Sequence, residues 1–218
     1  MCKKAVLFDF DGVVVKSMEQ HFNAWQQAFA EEKINLEPQE FFILEGQGIR
    51  SIARSLGEKK GMSKEQIAKV MDRKVNYYNK FMTIEFYDHF PEMLNKLKKN
   101  NIPMGIVTGG TKSRVKKVVK EYFDNTFMCV ITVDDVERGK PFPDSFLKGA
   151  QELGFDPKEC LVVENAPLGI EGGLAAGMKV IAITTTLPGK ALSKAHIVVK
   201  DFRELEREIF KSLDINHN

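Results

Sequence analysis

The sequence predicts an α/β fold with a doubly wound, Rossmann-like and mostly parallel sheet, into which an all-helical segment is inserted. From about residue 87 to the end, short apolar runs of strand length alternate with helical segments, an order typical of a parallel sheet covered on both faces. Between about residues 16 and 86 the apolar spacing is helical throughout. One buried strand precedes that block and must belong to the same sheet. We therefore expect an α/β core domain over 1–15 and 87–218, and a helical cap domain over 16–86.

Composition is that of an ordinary globular protein and disfavours several classes of partner. Of 218 residues, 43% are hydrophobic and 28% are charged, and the net charge of +2 provides no basic surface for nucleic acid. No apolar run approaches the roughly 18 residues that a membrane span requires, and no signal-peptide core precedes the first strand. Cys2, Cys129 and Cys160 lack metal-ligand spacing, which predicts reduced thiols. We expect a cytoplasmic monomer that contacts neither nucleic acid nor membranes.

The first half of the chain is predicted to contain one strand followed by helices. Residues 5–8 are apolar and predict a buried strand. Two serine–glutamine pairs with capping-box spacing open helices that end near residues 32 and 81: Ser17 with Gln20, and Ser63 with Gln66. Residues 45–48, with the sequence Glu-Gly-Gln-Gly, predict a loop between these helices, because glycine destabilises a helix interior.

The second half alternates between helices and strands. Pro91 suits the first turn of a helix that ends near residue 100. Further strands are expected at 104–107, 129–132, 161–163, 180–183 and 197–199, with helices at 112–122, 144–153 and 167–176. In such a sheet, ligands bind at the edge formed by the carboxyl ends of the strands.

The segment Asp9-Phe10-Asp11-Gly12, at the end of the first strand, carries the strongest functional signal. Side chains alternate along an extended chain, so Asp9 and Asp11 point the same way. Two neighbouring carboxylates repel each other unless a positive charge compensates them, and Mg²⁺ prefers such oxygen ligands together with a substrate phosphate. The simpler alternative is a turn with two solvated aspartates.

Polar side chains also follow the other strands, at the edge where parallel strands end together. Thr108 follows the second strand, Lys140 precedes a later helix, and Glu164 and Asn165 follow a later strand. Each residue alone also suits a turn, a solvated surface or a helix cap. Together, a carboxylate pair, a hydroxyl, a lysine and a further acid favour phosphoryl transfer, in which positioning and charge neutralisation provide the catalysis.

In these motifs the chain resembles haloacid-dehalogenase-superfamily phosphohydrolases with a helical cap, of the branch of β-phosphoglucomutase and phosphoglycolate phosphatase. The resemblance covers nearly the whole chain, and the series of motifs is far more specific than any one of them. The motifs are, in order, Asp9-Phe10-Asp11-Gly12, Val107-Thr108-Gly109, Gly139-Lys140-Pro141 with Pro143-Asp144, Glu164-Asn165-Ala166-Pro167 with Gly169, and Ala175-Ala176-Gly177-Met178.

The resemblance implies a role for each core residue. Asp9 would be the nucleophile that forms an aspartyl-phosphate, and Asp11 would protonate the leaving group and then activate water. Thr108 and the amide of Gly109 would hold the transferring phosphoryl oxygens. Lys140 would bind the phosphoryl group and offset the charge of Asp9. The implied cofactor is Mg²⁺, held by Asp9, the backbone carbonyl of Asp11, Glu164 and Asn165.

Two positions depart from the family pattern. The family usually has a second acid where this chain has Asn165, so the site loses one negative charge. Glu45, in the glycine-containing loop, would replace that charge when the cap closes; the alternative is a solvated loop residue. Arg50 is shifted by one residue from the arginine that holds a distal phosphate in the mutase branch, which disfavours a mutase.

Two further residues of the helical segment are candidates for substrate binding. His21 has the spacing from Asp9 that is seen in the β-phosphoglucomutase branch, where the histidine contacts the acid–base aspartate. Lys74 falls on the apolar face of its helix, where a charge is costly unless it meets an anion or reaches water. A purely structural role is the alternative for each of them. Trp25 shares an apolar stripe and is expected in the core.

The predicted function is Mg²⁺-dependent hydrolysis of a small phosphorylated metabolite through an aspartyl-phosphate. The alternatives are phosphotransfer of the β-phosphoglucomutase type and hydrolysis of inorganic pyrophosphate. Two other classes fit less well. Residues 105–113 lack the lysine directly after the second glycine that a nucleotide-binding phosphate loop requires. A non-catalytic binding module has no need for Asp9, Asp11 and Lys140 together.

Overall fold

The computed structural model of the chain describes residues 4–215. Within that range six strands form one parallel sheet: β1 (Ala5–Phe8), β2 (Met104–Val107), β3 (Cys129–Ile131), β4 (Cys160–Glu164), β5 (Lys179–Ile183) and β6 (Ile197–Val199). Their order across the sheet is β3-β2-β1-β4-β5-β6, and each neighbouring pair is parallel. The predicted doubly wound α/β fold is confirmed.

Helices cover both faces of the sheet and fill the insertion after β1. The insertion contains α1 (Met18–Ala30), α2 (Pro38–Phe42), α3 (Ile49–Lys59) and α4 (Lys64–Phe81). The later helices are α5 (Phe90–Lys99), α6 (Lys112–Tyr122), α7 (Asp144–Leu153), α8 (Pro167–Ala175) and α9 (Phe202–Ser212). No helix in the described part of the chain has the length and apolar character needed to span a membrane.

The strand order brings the predicted site residues to one edge of the sheet. The chain runs outward from β1 through β2 to β3, then returns to β4 beside β1 and runs outward through β5 to β6. Because the strands are parallel, the carboxyl ends of β1, β2 and β4 lie side by side. Asp9 follows β1, Thr108 follows β2 and Glu164 ends β4, so the strand order alone brings these three residues together.

Three apolar clusters stabilise the described part of the molecule. One packs α5, α6 and α9 against one face of the sheet around Phe8 and Phe90, and a second packs α7 and α8 against the other face around Leu7. The third lies inside the insertion and includes Trp25, which is 1% exposed, as expected for a core residue. A separate apolar cluster is what a cap domain needs, and the predicted domain boundaries stay a prediction.

The capping box predicted for Ser17 and Gln20 does not form at the start of α1. The Ser17 hydroxyl donates instead to Oδ1 of Asp11 at 2.6 Å, and the Gln20 side chain bonds the backbone of Thr83. The other predicted capping box, at the start of α4, is confirmed. Long-range partners near the site therefore override a local pattern that holds elsewhere in the insertion.

The predicted elements omit α9, and within the all-helical segment they do not specify α2 or α3, which lie on either side of the predicted loop at 45–48. The start of α9 carries a clear signal, because the Asp201 side chain accepts hydrogen bonds from the amides of Arg203 and Glu204. Its apolar residues pack into the same cluster as Phe90. Capping chemistry and apolar periodicity in the sequence were therefore sufficient to predict α9.

The cysteines are placed as expected where the structure describes them. Cys129 and Cys160 are buried and form no disulfide. Burial raises the pKa of the Cys129 thiol to about 12 and that of the Cys160 thiol to about 11, so both stay protonated near neutral pH. Cys2, for which a reduced thiol is also expected, lies outside the described residues.

Candidate active site

A cavity of about 620 Å³ lies at the carboxyl ends of β1 and β2, between the sheet and the inserted helices. Predicted site residues line it from both sides: Asp9, Asp11, Thr108 and Gly109 from the core, and His21, Glu45 and Lys74 from the insertion. Three more lie beneath its surface with exposed fractions of 5% or less: Lys140, Glu164 and Asn165. The structure thus brings the predicted residues to one place, and their individual roles stay predictions.

A buried ion pair anchors Asp9, the predicted nucleophile. The Lys140 ammonium donates to Oδ1 of Asp9 at 2.5 Å, to Oε1 of Glu164 at 2.6 Å and to the carbonyl oxygen of Val107 at 3.0 Å. The ends of β1, β2 and β4 therefore meet at one nitrogen atom. Burial disfavours the charged form of Lys140, but Asp9 and Glu164 outweigh it and raise its pKa. Lys140 is consequently a fixed positive charge beside Asp9.

Lys140 does not fully compensate the carboxyl groups around it. Burial and, to a smaller extent, the charge of Glu164 raise the pKa of Asp9 to about 7 despite the opposing attraction of Lys140. Glu45 is a third buried acid in this corner, and the charges of Asp9 and Glu164 act on it. Two of these three buried carboxyl groups contact the single ammonium group and the third lies nearby, which leaves this half of the site short of positive charge.

Glu164 supports the site from beneath. Its Oε1 accepts from Lys140, and its Oε2 accepts from the amides of Asn165 at 2.9 Å and Ala166 at 3.1 Å. A Cβ atom at Gly169 would lie 1.7 Å from Oε1, so a glycine is needed to leave room for this carboxylate. Glu164 therefore holds Lys140 in place, and its predicted role as a metal ligand stays a prediction.

Thr108 lies at the end of β2, and the next residue, Gly109, faces the glycine-containing loop of the insertion. Thr108 is 4% exposed, and its Oγ1 accepts from the amide of Gly110 at 3.0 Å. A Cβ atom at Gly109 would lie 2.6 Å from the carbonyl oxygens of both Gly46 and Gln47. The insertion therefore touches the core at Gly109, and this close approach depends on the absence of a side chain there.

Glu45 lies directly against Asn165. The side-chain amide of Asn165 donates to Oε2 of Glu45 at 2.9 Å, and the Thr186 hydroxyl donates to the same oxygen at 3.0 Å. Glu45 is 2% exposed, and burial raises its pKa well above the usual range despite the hydrogen bond from Thr186. The alternative of a solvated loop residue is therefore wrong.

Two buried oxygens in this corner have no hydrogen-bond partner among the described residues: Oε1 of Glu45 and Oδ1 of Asn165. Buried acceptors without a donor are costly, and a hard cation satisfies them. No group of three or more His, Cys, Asp and Glu side chains within residues 4–215 is arranged to hold a metal. A site here thus needs the Asn165 amide and a backbone oxygen as well. The unpartnered oxygens and the surplus of carboxyl groups fit Mg²⁺.

Asp11 is held by three side chains that together engage both of its carboxylate oxygens. Arg114 of α6 donates from Nη1 to Oδ1 at 2.9 Å and from Nη2 to Oδ2. Ser17 donates to Oδ1 at 2.6 Å, and Nε2 of His21 lies 3.2 Å from the same oxygen. Burial opposes ionisation, but Arg114 and His21 outweigh it and hold the pKa of Asp11 well below its usual range.

His21 and Lys74 extend this network into the insertion. Lys74 is 6% exposed, and its Nζ lies 2.9 Å from Nδ1 of His21 and over two aromatic rings. Burial and the charge of Lys74 lower the pKa of His21 to about 3, so the imidazole is neutral. Nδ1 therefore accepts from Lys74, and Nε2–H donates to Asp11.

Arg114 is absent from the predicted site residues, although it engages both oxygens of Asp11. Its place in the first turn of α6, the helix that follows the Thr108 strand end, is a weak signal, because arginine at such a position is usually solvated. Thr186, which follows β5, is a second omission. Arg50, by contrast, is exposed and does not line the cavity.

Comparison with protein families gives a match to the haloacid dehalogenase-like hydrolases over residues 6–183. The chain belongs to this family. The motifs of this haloacid dehalogenase-like hydrolase, from Asp9 to Gly169 and on to Met178, all lie within the matched residues. The resemblance inferred from the motifs is confirmed.

Curated relatives of this haloacid dehalogenase-like hydrolase include phosphatases of different specificity. The chain is 33% identical over 205 residues to hexitol phosphatase A of Escherichia coli (strain K12), and this alignment covers 93% of each chain. It is 31% identical over 193 residues to pyrophosphatase PpaX of Bacillus cereus (strain AH820), and this alignment covers 88% of each chain. The family match and these relatives confirm the prediction of a haloacid dehalogenase-like phosphatase.

The fold is also that of solved structures in the same family. The structure of β-phosphoglucomutase from Clostridium difficile superposes with a TM-score of 0.81 at 23% sequence identity, over 96% of each chain. Similarity at this level of identity concerns the fold alone. It shows that the order of strands and inserted helices is shared along nearly the whole chain.

Proposed function

We propose that this haloacid dehalogenase-like hydrolase is a Mg²⁺-dependent phosphohydrolase that acts on a small phosphorylated metabolite through an aspartyl-phosphate on Asp9. The contact between Lys140 and Asp9, at 2.5 Å beneath a cavity that the insertion covers, is the main support. A carboxylate held beside a buried cation is suited to attack a phosphate, because the cation offsets the charge of two anions that approach each other.

The reaction proceeds in two steps. An oxygen of Asp9 attacks phosphorus while the bond to the leaving oxygen breaks, and that oxygen keeps the electron pair and takes a proton from the carboxylic acid form of Asp11. Asp11 reaches that form only away from Arg114, which holds its pKa low in the described arrangement. Water then attacks the phosphorus of the aspartyl-phosphate and gives a proton to Asp11. The bond between phosphorus and the Asp9 oxygen breaks, so phosphate is released and the Asp9 carboxylate is restored. Thr108 and the Gly109 amide hold the phosphoryl oxygens in both steps. Lys140, whose three donors engage Asp9, Glu164 and the Val107 carbonyl, offsets the negative charge from beneath.

Bound Mg²⁺ would supply charge neutralisation at the phosphoryl group. The oxygens that would hold it belong to Asp9, the backbone carbonyl of Asp11, Asn165 and Glu45, and the side chains of the last two each have an unpartnered oxygen. Glu164 fixes Lys140, and its Oε1, which accepts a single hydrogen bond, is a further oxygen for the metal.

The insertion serves as a cap over the cavity. Two segments connect it to the core, near residues 13–16 and 84–88, and they meet where the Lys16 amide donates to the Glu85 carbonyl at 2.8 Å. Movement about this crossing would open the cavity to substrate, and closure would exclude water from Asp9. The close contact between Gly109 and the loop of the insertion supports such a closed arrangement.

Hydrolysis is favoured over phosphotransfer between sugar positions. A mutase has to hold the distal phosphate of a bisphosphate, and Arg50 is exposed and outside the cavity. The two curated relatives with more than 30% identity described above are both named for hydrolytic reactions.

Inorganic pyrophosphate is a second candidate substrate, and the contact between Glu45 and Asn165 favours it. A metal ligand on the insertion would couple metal binding to closure, and a tightly closed site suits a small and highly charged substrate. The relative named pyrophosphatase PpaX supports the same choice.

The test is phosphate release by the purified protein with Mg²⁺ over a panel of hexitol phosphates, hexose phosphates, phosphoglycolate and pyrophosphate. Asp9→Asn should reduce turnover by several orders of magnitude, as the loss of a covalent nucleophile does. Asp72→Asn removes an exposed carboxylate outside the cavity and should leave turnover unchanged. Near-wild-type activity of Asp9→Asn would disprove the nucleophile. Rapid interconversion of β-glucose 1-phosphate and glucose 6-phosphate with little free phosphate would show a mutase.

A further inference from the structure

We propose that Arg114, together with Lys74, binds a second anionic group on the leaving side of the substrate, and that this group displaces the Asp11 carboxylate from Arg114. The inference rests on the proposed phosphohydrolase function and defines its substrate class. The substrate is a phosphate ester or anhydride whose leaving group itself carries a carboxylate or a phosphate.

Arg114 is anchored by aromatic rings and still reaches the cavity. Its guanidinium carbon lies 5.5 Å from the ring centre of Phe10 and 5.6 Å from that of Tyr78, and the side chain is 17% exposed. Both terminal nitrogens donate to the two oxygens of Asp11. Arginine binds a carboxylate or a phosphate group with this same fork. Asp11 thus occupies an anion site that a substrate group of matching shape fits.

Lys74 is a buried cation that forms no ion pair within the described residues 4–215. Its Nζ contacts the neutral ring of His21 at 2.9 Å and lies 4.7 Å from the ring centre of Tyr78. A buried ammonium group without an anion beside it is costly, so its retention here points to a ligand that brings the anion. Lys74 lines the same cavity as Arg114.

The leaving side of the site has two basic side chains and one carboxylate. Arg114 and Lys74 repel each other, and Asp11 is the carboxylate of the described residues that attracts both. Neutral His21 adds no charge. Two basic side chains therefore share one carboxylate, the reverse of the imbalance around Lys140. One further anion between Arg114 and Lys74 would balance the charges.

Asp11 has to leave Arg114 before it serves the leaving oxygen. Donors from Arg114, Ser17 and His21 converge on its two oxygens, and Arg114 alone engages both. A substrate anion that takes the guanidinium removes both of those contacts at once. Binding of the correct leaving group therefore frees the acid–base residue, and an ester without the second anion leaves Asp11 held.

Binding to the Asp9→Asn protein tests this inference without turnover. Titration calorimetry with Mg²⁺ compares phosphoglycolate, which carries a carboxylate, pyrophosphate, which carries a second phosphate, and ethyl phosphate, which carries neither. In this background Arg114→Gln removes the fork, and Arg114→Lys keeps the charge without it. Lys117→Gln is the matched control, because Lys117 is an exposed cation one turn further along α6 at the cavity wall.

We expect phosphoglycolate or pyrophosphate to bind about fivefold or more tightly than ethyl phosphate, as a second charge-assisted pair implies. Arg114→Gln should abolish that preference, and Lys117→Gln should retain it. If Arg114→Gln weakens phosphoglycolate binding more than pyrophosphate binding, the natural second group is a carboxylate. If it weakens pyrophosphate binding more, that group is a phosphate. Thermal unfolding checks each variant, and if Arg114→Gln does not fold, the same criterion applies to Arg114→Lys.

A preference below about fivefold in the Asp9→Asn protein, or a preference that survives the Arg114 substitution, overturns the inference and leaves Arg114 as a structural partner of Asp11. These results are separable from the proposed function. Turnover by Asp9→Asn would disprove the role of Asp9 as nucleophile. Equal affinities for the three probes in an inactive Asp9→Asn protein would disprove only the role of Arg114.

Discussion

The side-chain amide of Asn165 donates a hydrogen bond to Oε2 of Glu45 at 2.9 Å, although 120 positions separate the two residues in the chain. The bond joins the end of β4 to the loop between α2 and α3, and each residue keeps one buried oxygen without a partner. An amide stands where the family pattern has an acid, and Glu45 brings an acid to it from the insertion. This pairing makes the proposed metal site depend on the position of the insertion.

Glu45→Gln should raise the Mg²⁺ concentration needed for half-maximal turnover and lower the maximal rate, because Mg²⁺ prefers a carboxylate to an amide. Asn165→Asp, added to Glu45→Gln, should restore part of the loss. Glu58→Gln, which changes an exposed carboxylate of α3, is the control. If the Mg²⁺ titration of Glu45→Gln coincides with that of the wild type, Glu45 has no place in the site.

Asp11→Asn should lower turnover by about 10²–10⁴-fold for alkyl phosphates, the usual contribution of a general acid–base residue. The loss in the first step should be much smaller for 4-nitrophenyl phosphate, because nitrophenolate leaves without a proton. Burst kinetics on the two substrate types separate that step from hydrolysis of the intermediate. An equal loss in the first step for both types would contradict proton donation by Asp11.

Gly109→Ala should lower turnover by roughly tenfold or more, because small misplacements of reacting groups are costly. The new Cβ atom would lie 2.6 Å from the carbonyl oxygens of Gly46 and Gln47, so the loop of the insertion has to move away. Gly189→Ala is the control, since a Cβ atom there meets only side-chain carbons at 3.5 Å and 3.7 Å. Steady-state kinetics that are unchanged in Gly109→Ala would show that the contact has no part in closure.

Lys74→Met should raise the melting temperature near pH 7 by roughly 2–4 °C for each kcal/mol gained, and this gain should shrink as the pH rises. Burial lowers the pKa of Lys74 from 10.5 to about 7 in the folded protein. Between those values the unfolded chain binds more protons, so the Lys74 contribution to wild-type stability improves with rising pH. Methionine binds no proton, and the two melting curves should therefore converge towards pH 10.5.

Calorimetric melts of both proteins between pH 7 and pH 10 measure this difference. Lys117→Met, at an exposed position of α6, should show no comparable trend. A gain for Lys74→Met that stays constant over this pH range would mean that Lys74 keeps its proton in the folded protein throughout.

The core of the site was predictable because its residues follow strands. Apolar runs locate the strand ends from local sequence, and a parallel sheet then places Asp9, Thr108 and Glu164 at one edge. Lys140 could be included because the family motif surrounds it. Arg114 could not be assigned in the same way, since an arginine in the first turn of a helix is usually a solvated residue. Its role becomes visible only when both of its terminal nitrogens meet Asp11.

The sequence by itself determined the alternation of strands and helices and the polar residues at the strand ends, because hydrophobic periodicity and turn chemistry act over a few neighbouring residues. Only the tertiary structure decided which buried polar groups pair with one another. Ser17 bonds Asp11 instead of capping α1, and Glu45 meets Asn165 across 120 positions. Several donors and acceptors compete for each buried oxygen, and packing of the insertion against the sheet selects which of them come within bonding distance.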